Sequence, residues 1–224
     1  MDKKIRIKDL TKIYRKGTIE IPALQNVSIE IEPGRFYAIV GKSGCGKSTL
    51  LNLIGGLDKP TSGSIYFNGA DLAEMSRKDL VIHRRYNVGM IFQSFNLILS
   101  QTALENIILP MIFTGIPKRE RIAKGKILLE QVGLADRITH IPNELSGGEA
   151  QRVAIARAMA NEPEVILADE PTGNLDSQTS EEIVNLLVKL NKDKGLTILM
   201  VTHDLETAEN VSDKIIRLKD GMVI

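Results

Sequence analysis

The run Gly41-Lys42-Ser43-Gly44-Cys45-Gly46-Lys47-Ser48-Thr49 satisfies the pattern G-x-x-x-x-G-K-[ST]. It follows the apolar stretch "RFYAIVG" and precedes "KSTLLNLIGGL", a strand-then-helix setting that turns the pattern from a chance Gly/Ser loop into a phosphate cradle. Glycines let the backbone curl until successive N–H groups face phosphate oxygens, and the N-terminus of the following helix adds positive potential. In such a cradle Lys47 bridges the β- and γ-phosphates and the Ser48 hydroxyl ligates Mg²⁺. Cys45 reads as a small filler of the loop rather than a reactive thiol.

Four further side chains fall at the C-terminal ends of apolar runs, the edge of an open α/β sheet where ligands bind. "VILADEP" ends in Asp169 and Glu170. Two adjacent carboxylates there divide the work: Asp169 holds the Mg²⁺ shell, and Glu170 orients or deprotonates an attacking water. "MVTHD" ends near His203, whose strand-end place favours contact with a γ-phosphate over a merely solvated ring. "MIFQ" ends in Gln93, whose amide could reach the metal, the water or neither. A second stretch, "ELSGGEAQRVAIARA", again has a serine and paired glycines before a helical run, but it lacks a lysine.

The elements that must position these groups alternate. "KIRIKDL" and "VSIEIEPG" alternate apolar and polar residues as short strands, and "GSIYFNGADL" returns to strand and turn. "NVGMIFQ", "PEVILADEP" and "LTILMVTHD" read as further strands, the last two fully buried. From Ser94 to Glu162 the pattern is helical; "KRERIAKGKILLEQVGL" turns Leu128, Leu129 and Val132 to a core and stops at Gly133. "TSEEIVNLLVKLNKDKG" is an amphipathic helix with Ile183, Leu186, Leu187 and Leu190 on one face and a capping box of Thr179 with Glu182. Asp220-Gly221 predicts a hairpin turn. The expected class is α/β, with a parallel sheet covered on both faces and a helical insertion.

Bulk composition narrows the function. The 224 residues carry a net charge of +1, from 29 basic and 28 acidic residues, which gives no general attraction to nucleic acid. Aromatic residues make up 4%, with no Trp, which argues against a base-stacking platform. One cysteine excludes an internal disulfide and fits a reducing compartment. "MDKKIRIKDL" has no apolar run behind its charges, so it does not read as a secretory signal. "NLILSQTALENIILPMIF" is broken by Asn, Ser, Gln, Thr, Glu and Pro, so no membrane span is expected. Any work at a membrane then requires a partner.

Taken in order, "GKSGCGKST", Gln93, "LSGGE", "VILADE", "NLD" and His203 resemble the nucleotide-binding subunit of ABC transporters over essentially the whole chain. The resemblance implies a phosphate-loop NTPase core with an N-terminal antiparallel β subdomain, both within about 1–93 and 163–224, and an α-helical subdomain at about 94–162. The whole of 1–224 would be one ATPase domain, using ATP and Mg²⁺. Tyr14 would stack on adenine, against the plainer alternative of strand packing. Gln93 would sense Mg²⁺ and couple to a membrane subunit, Glu170 would be the catalytic base and His203 the switch histidine. Ser146, Gly147, Gly148 and Glu149 would form the signature loop and Asp176 would touch an opposing subunit.

The same resemblance implies a homodimer in the ATP-bound state, an integral membrane permease as partner, no nucleic-acid partner, and a cytoplasmic location on the inner face of the membrane. Three positions depart from the usual pattern: Cys45 for Ser, Glu149 for Gln, and Asn174 for a small residue. "FNLILSQTALENIILP", "LDKPTSG" and "ADEPTGNLD" look like the subgroup that contains lipoprotein-release ATPases, macrolide and antimicrobial-peptide exporters and a cell-division ATPase. That implies export or extraction of a lipophilic or peptide-like substrate. The alternative is an ABC-type ATPase of a non-transport complex, in cell division or DNA maintenance. Against DNA maintenance, only about seventy residues separate Gln93 from Glu162, without heptads or a zinc module.

Overall fold

Every residue of β3 (Phe36–Val40) is buried, so this strand needs cover on both faces. The computed structural model of the protein, which describes residues 4–224, supplies it. The reading of the N-terminus as non-secretory falls partly on residues 1–3, outside the described residues. Around β3 lie β6 (Val88–Phe92), β7 (Val165–Asp169), β8 (Thr197–Thr202), β9 (Lys214–Lys219) and β10 (Met222–Val223). Their order is β10-β9-β3-β8-β7-β6, parallel throughout except for the β9–β10 hairpin.

Side chains alternate across this sheet with the period of two that a strand imposes. Leu199 and Val201 of β8 join one core with Tyr37, Ile39 and Leu167, whereas Ile198 and Met200 join another with Phe36, Ile166 and Ala168. The first core is closed by α1 (Lys47–Ile54) and by a four-stranded antiparallel sheet. That sheet consists of β1 (Ile5–Lys16), β2 (Ile19–Ile31), β4 (Ser62–Phe67) and β5 (Ala70–Asp71), in the order β2-β1-β4-β5. Its first two strands are longer than the sequence pattern predicts and meet in one hairpin at Gly17, φ 62°.

The second core takes in α3 (Ala103–Phe113), α4 (Lys118–Gln131), α5 (Gly147–Ala158) and α6 (Ser177–Lys194). The first three of these helices are inserted between β6 and β7. Two further α-helices are α2 (Arg77–Tyr86) and α7 (Leu205–Val211), and two short 3-10 turns, Ala135–Arg137 and Pro142–Glu144, lie between α4 and α5. Among the described residues no helix is long and apolar enough to cross a membrane.

The start of α6 corrects the sequence reading. Its N-cap is Asp176, whose carboxylate accepts from Thr179 N at 3.0 Å and from the Thr179 hydroxyl at 2.6 Å. Thr179 therefore lies inside the helix, and Glu182 receives Arg152 Nη2 at 2.9 Å instead of closing a box. A carboxylate three residues upstream is the stronger acceptor for the orphan N–H groups, so the helix begins earlier than the Thr179–Glu182 pattern predicts.

Candidate active site

Parallel register brings the site-forming strand ends together. Val40 pairs with Thr202, Val201 with Asp169, and Asp169 with Phe92. The residues that follow, Gly41, His203, Glu170 and Gln93, therefore leave one edge of the sheet on four adjacent strands. Spacing along the chain, 41 to 203, becomes a few strand widths of about 4.8 Å each.

The phosphate loop folds as its sequence requires at Gly46, which N-caps α1 with φ 103°. A Cβ there would lie 2.3 Å from the Ala23 carbonyl oxygen and 2.8 Å from Leu24, so no side chain fits. No side chain caps α1, whereas Ser76, Thr102, Ser146, Asp176 and Asp204 cap α2, α3, α5, α6 and α7. The first N–H groups of α1 are thus left to an external acceptor. Lys42, Ser43 and Gly44 form the outer bend, where Lys42 O accepts from Cys45 N at 3.2 Å. The Cys45 side chain is buried against Gly41. Lys47 is only 5% exposed, and its ammonium is turned back on the loop, donating to Gly41 O at 2.8 Å and Lys42 O at 3.1 Å. Those carbonyls solvate the cation without cancelling its charge, so an anion entering the loop meets it at full strength.

The structure brings Ser48 and Asp169 together: the hydroxyl donates to Asp169 Oδ1 at 2.9 Å. Burial, with the neighbouring Glu170 adding to it, pushes the Asp169 carboxyl above the ordinary aspartate range, against the opposing pull of Ser48 and Lys47. Glu170 adopts a left-handed backbone, φ 44°, held by its N–H on Val201 O at 3.1 Å and by Gly173 N on its carbonyl at 3.0 Å. Such strain in a non-glycine residue costs about 1–3 kcal/mol and persists only where the surroundings impose it. The turn sets the Glu170 carboxylate opposite His203, with 3.5 Å between Oε2 and Nδ1. Thr49 follows Ser48 in the first turn of α1.

Tyr14 lies on β1 opposite Ile21 and is 38% exposed. Its hydroxyl donates to Asp58 Oδ2 at 3.0 Å, and Lys12 Nζ stands 4.8 Å from the ring centroid. The same ammonium donates to Asp58 Oδ1 at 2.8 Å, so the ring is fixed at its hydroxyl and covered by a cation on one face. Gln93 sits just past β6, and its amide faces Asn174 at 3.5 Å.

The signature residues stand apart from the phosphate loop. Among the described residues no hydrogen bond links Ser146, Gly147, Gly148 or Glu149 to Gly41–Thr49. Ser146 N-caps α5, accepting from Glu149 N at 3.2 Å. Glu149 answers by accepting from Ser146 N at 2.8 Å, and Arg137 Nε donates to its other oxygen at 2.8 Å. The Ser146 backbone bond first and then Arg137 hold this carboxyl below its ordinary range. Both carboxylate oxygens are thus engaged, so Glu149 shapes the loop, and the N–H groups of Gly147 and Gly148 remain the free donors of the first turn. Asp176 likewise spends its carboxylate on capping α6.

Several contributors escaped the sequence reading. Lys12 and Asp58 position Tyr14, Arg137 anchors Glu149, and buried Gln151 donates to Pro171 O at 2.6 Å, tying α5 to the turn beyond Glu170. Arg157 holds the carbonyls of Phe95, at 2.7 Å, and Asn96, two consecutive residues of positive φ just after Gln93. Each works through a backbone carbonyl or a distant partner, and neither leaves a local pattern.

Comparison with known proteins agrees with this geometry. The family model described as ABC transporter matches residues 24–173, about two thirds of the chain. An ABC transporter ATP-binding protein of Methanocaldococcus jannaschii is 50% identical over 220 residues, covering 98% of this chain and 97% of the relative. The lipoprotein-releasing system ATP-binding protein LolD of Syntrophus aciditrophicus is 44% identical, with 98% of each chain covered. The macrolide export ATP-binding/permease protein MacB of Rhodopirellula baltica is 46% identical over 98% of this chain but only 32% of its own length. Among solved structures, the dimeric post-hydrolysis state of the ATP-binding cassette MJ0796 bound to ADP and Pi superposes with a TM-score of 0.90 at 47% identity, covering 98% of this chain and 96% of that one. The chain belongs to the ABC transporter family, as its ATP-binding and ATP-hydrolysing subunit.

Proposed function

We propose that this chain hydrolyses MgATP between two copies of itself and so drives a membrane permease. The observation that carries the proposal is one edge of the sheet bearing Ser48 and Asp169 2.9 Å apart beside Glu170 and His203 3.5 Å apart. Tyr14 would stack on adenine, and the N–H groups of Gly41 to Thr49 would wrap the phosphates. Lys47 would leave the Gly41 and Lys42 carbonyls for the β- and γ-phosphates.

The Ser48 hydroxyl and Asp169 carboxylate are hard oxygen donors, as Mg²⁺ requires. A divalent cation there would offset the burial that raises the Asp169 carboxyl. Among the described residues no group of three or more His, Cys, Asp or Glu could hold an ion alone, so the nucleotide's phosphates would complete the set with Gln93. The ion would neutralise charge developing on the phosphate oxygens. Glu170 would take a proton from, or orient, the attacking water, and His203 would meet the γ-phosphate.

Among the described residues no hydrogen bond links the two loops of one chain, so the Ser146-Gly147-Gly148 turn would serve the phosphate loop of a second copy, with Asp176 at the seam and Glu149 as its support. The permease would dock in a groove of about 480 Å³ between α2, β6 and α5. Phe113, 63% exposed, lines it with Arg84, Arg85 and Arg157. The protein would work as one domain on the cytoplasmic face of the membrane, held there by the permease. The names of its relatives favour export or extraction of a lipophilic or peptide-like substrate.

Glu170→Gln tests the reading. Turnover should be lost while ATP binding is kept, and a long-lived ATP-dependent dimer should appear on size-exclusion chromatography. Wild-type turnover in this variant would remove Glu170 from the role of base.

A further inference from the structure

Asn174 departs from the small residue usual in its loop, and its contacts fix the polarity of a neighbour. Its Nδ2 donates to the Gln93 backbone carbonyl at 3.0 Å. A carbonyl only accepts, so this bond decides which end of the Asn174 amide is nitrogen. The other end, Oδ1, must then face the Gln93 side chain, which answers with Nε2 at 3.5 Å. Gln93 Oε1 is thereby left free, while Nε2 has one of its two N–H groups turned to Asn174. Space for the arrangement comes from Gly173, where a Cβ would lie 2.6 Å from Gln93 Nε2.

The loop that carries Asn174 is itself held. Asp176 caps α6, Gly173 N bonds to Glu170 O at 3.0 Å, and Gln151 grips Pro171 O at 2.6 Å. Asn174 therefore reports the position of the turn beyond Glu170 to the loop beyond β6.

We infer that Asn174 is a positioning residue that orients the Gln93 amide oxygen-first toward the metal of the nucleotide site. The inference rests on the reading of Gln93 as metal-facing. A free amide would present oxygen and nitrogen alike, and the nitrogen end repels a divalent cation. Asn174 suppresses that second orientation, and it makes metal affinity depend on the place of the turn after Glu170.

The test is equilibrium binding of Mn²⁺, read by paramagnetic resonance, to the protein saturated with a non-hydrolysable ATP analogue. Asn174→Ala and the similar-sized Asn174→Leu should both weaken Mn²⁺ by about threefold, the value of one modest hydrogen bond, while metal-free analogue binding stays unchanged. Neither substitution should weaken Mn²⁺ further in a Gln93→Ala background. Wild-type affinity in either Asn174 variant beside a weakened Gln93→Ala would overturn this inference alone, as would a full loss that persists without Gln93. Wild-type affinity in Gln93→Ala would overturn the metal-facing reading of Gln93 and the inference with it.

Discussion

His203 Nδ1 stands 3.5 Å from Glu170 Oε2, across two adjacent strand ends that the chain reaches thirty-three residues apart. The His203 side chain is 70% exposed and that of Glu170 27% exposed, so the carboxylate is the enclosed member and the imidazole the open one. Removing the ring should therefore leave nucleotide binding almost intact and impair the chemical step. His203→Ala is expected to lower kcat by about 100-fold, in the range seen when one group facing developing charge is lost, with KM for ATP changed little. Steady-state kinetics of the purified domain check this.

Asp169 illustrates stability spent on function. Its folded pKa lies above its unfolded value, so the native state binds the extra proton as pH falls toward the aspartate range. Stability falls as pH rises through that window, and the penalty is fully present at neutral pH. Asp169→Asn should accordingly raise the melting temperature of the nucleotide-free protein. It should also reduce the further rise that MgATP confers on the wild type. Differential scanning fluorimetry with and without MgATP reads both effects.

Ser146 and Thr102 cap their helices with the same reciprocal box, closed by Glu149 and Glu105. Losing either cap to alanine should cost about 1 kcal/mol of stability, measured by chemical denaturation. Ser146→Ala should in addition lower ATPase activity, whereas Thr102→Ala should leave it at the wild-type level. The comparison separates a helix cap from a helix cap that also faces substrate.

A further expectation concerns acid. His83 is 2% exposed, with Nε2 on Ile54 O at 3.1 Å, Nδ1 near Asn87 Nδ2 at 3.2 Å and its ring edge-on to Phe67. Burial, reinforced by Arg84 and opposed by the Ile54 carbonyl and Glu164, holds its pKa below the ordinary histidine value of 6.5. The unfolded chain therefore takes up a proton first as pH drops, and stability falls from pH 6.5 downward until the folded value is passed. His83→Gln, which keeps a donor for Ile54, should flatten that part of the stability–pH curve.

Legibility in the sequence followed locality. The phosphate loop, the ends of β7 and β8 and the face of α6 could be read because each depends on spacing within one element. Composition could not reveal α2, where charged residues outnumber apolar ones, nor the left-handed pair Phe95–Asn96, which Arg157 stabilises from another helix. The Thr179–Glu182 box was a genuine local pattern defeated by Asp176, one residue before the helix. Glu149 and Asn174 were visible as departures. What they do, capping beside Arg137 and setting the Gln93 amide, depends on partners twelve and eighty-one residues away.

The central claim is that the signature loop acts on a second copy, and complementation tests it most directly. Lys47→Ala disables the phosphate loop and Ser146→Arg the signature loop, so each variant alone should be inactive. A mixed dimer contains one site built from the intact phosphate loop of one copy and the intact signature loop of the other. Mixing the two inactive proteins should therefore restore ATP hydrolysis. A mixture as inactive as its components, or a Ser146→Arg protein that hydrolyses ATP unaided, would contradict the account.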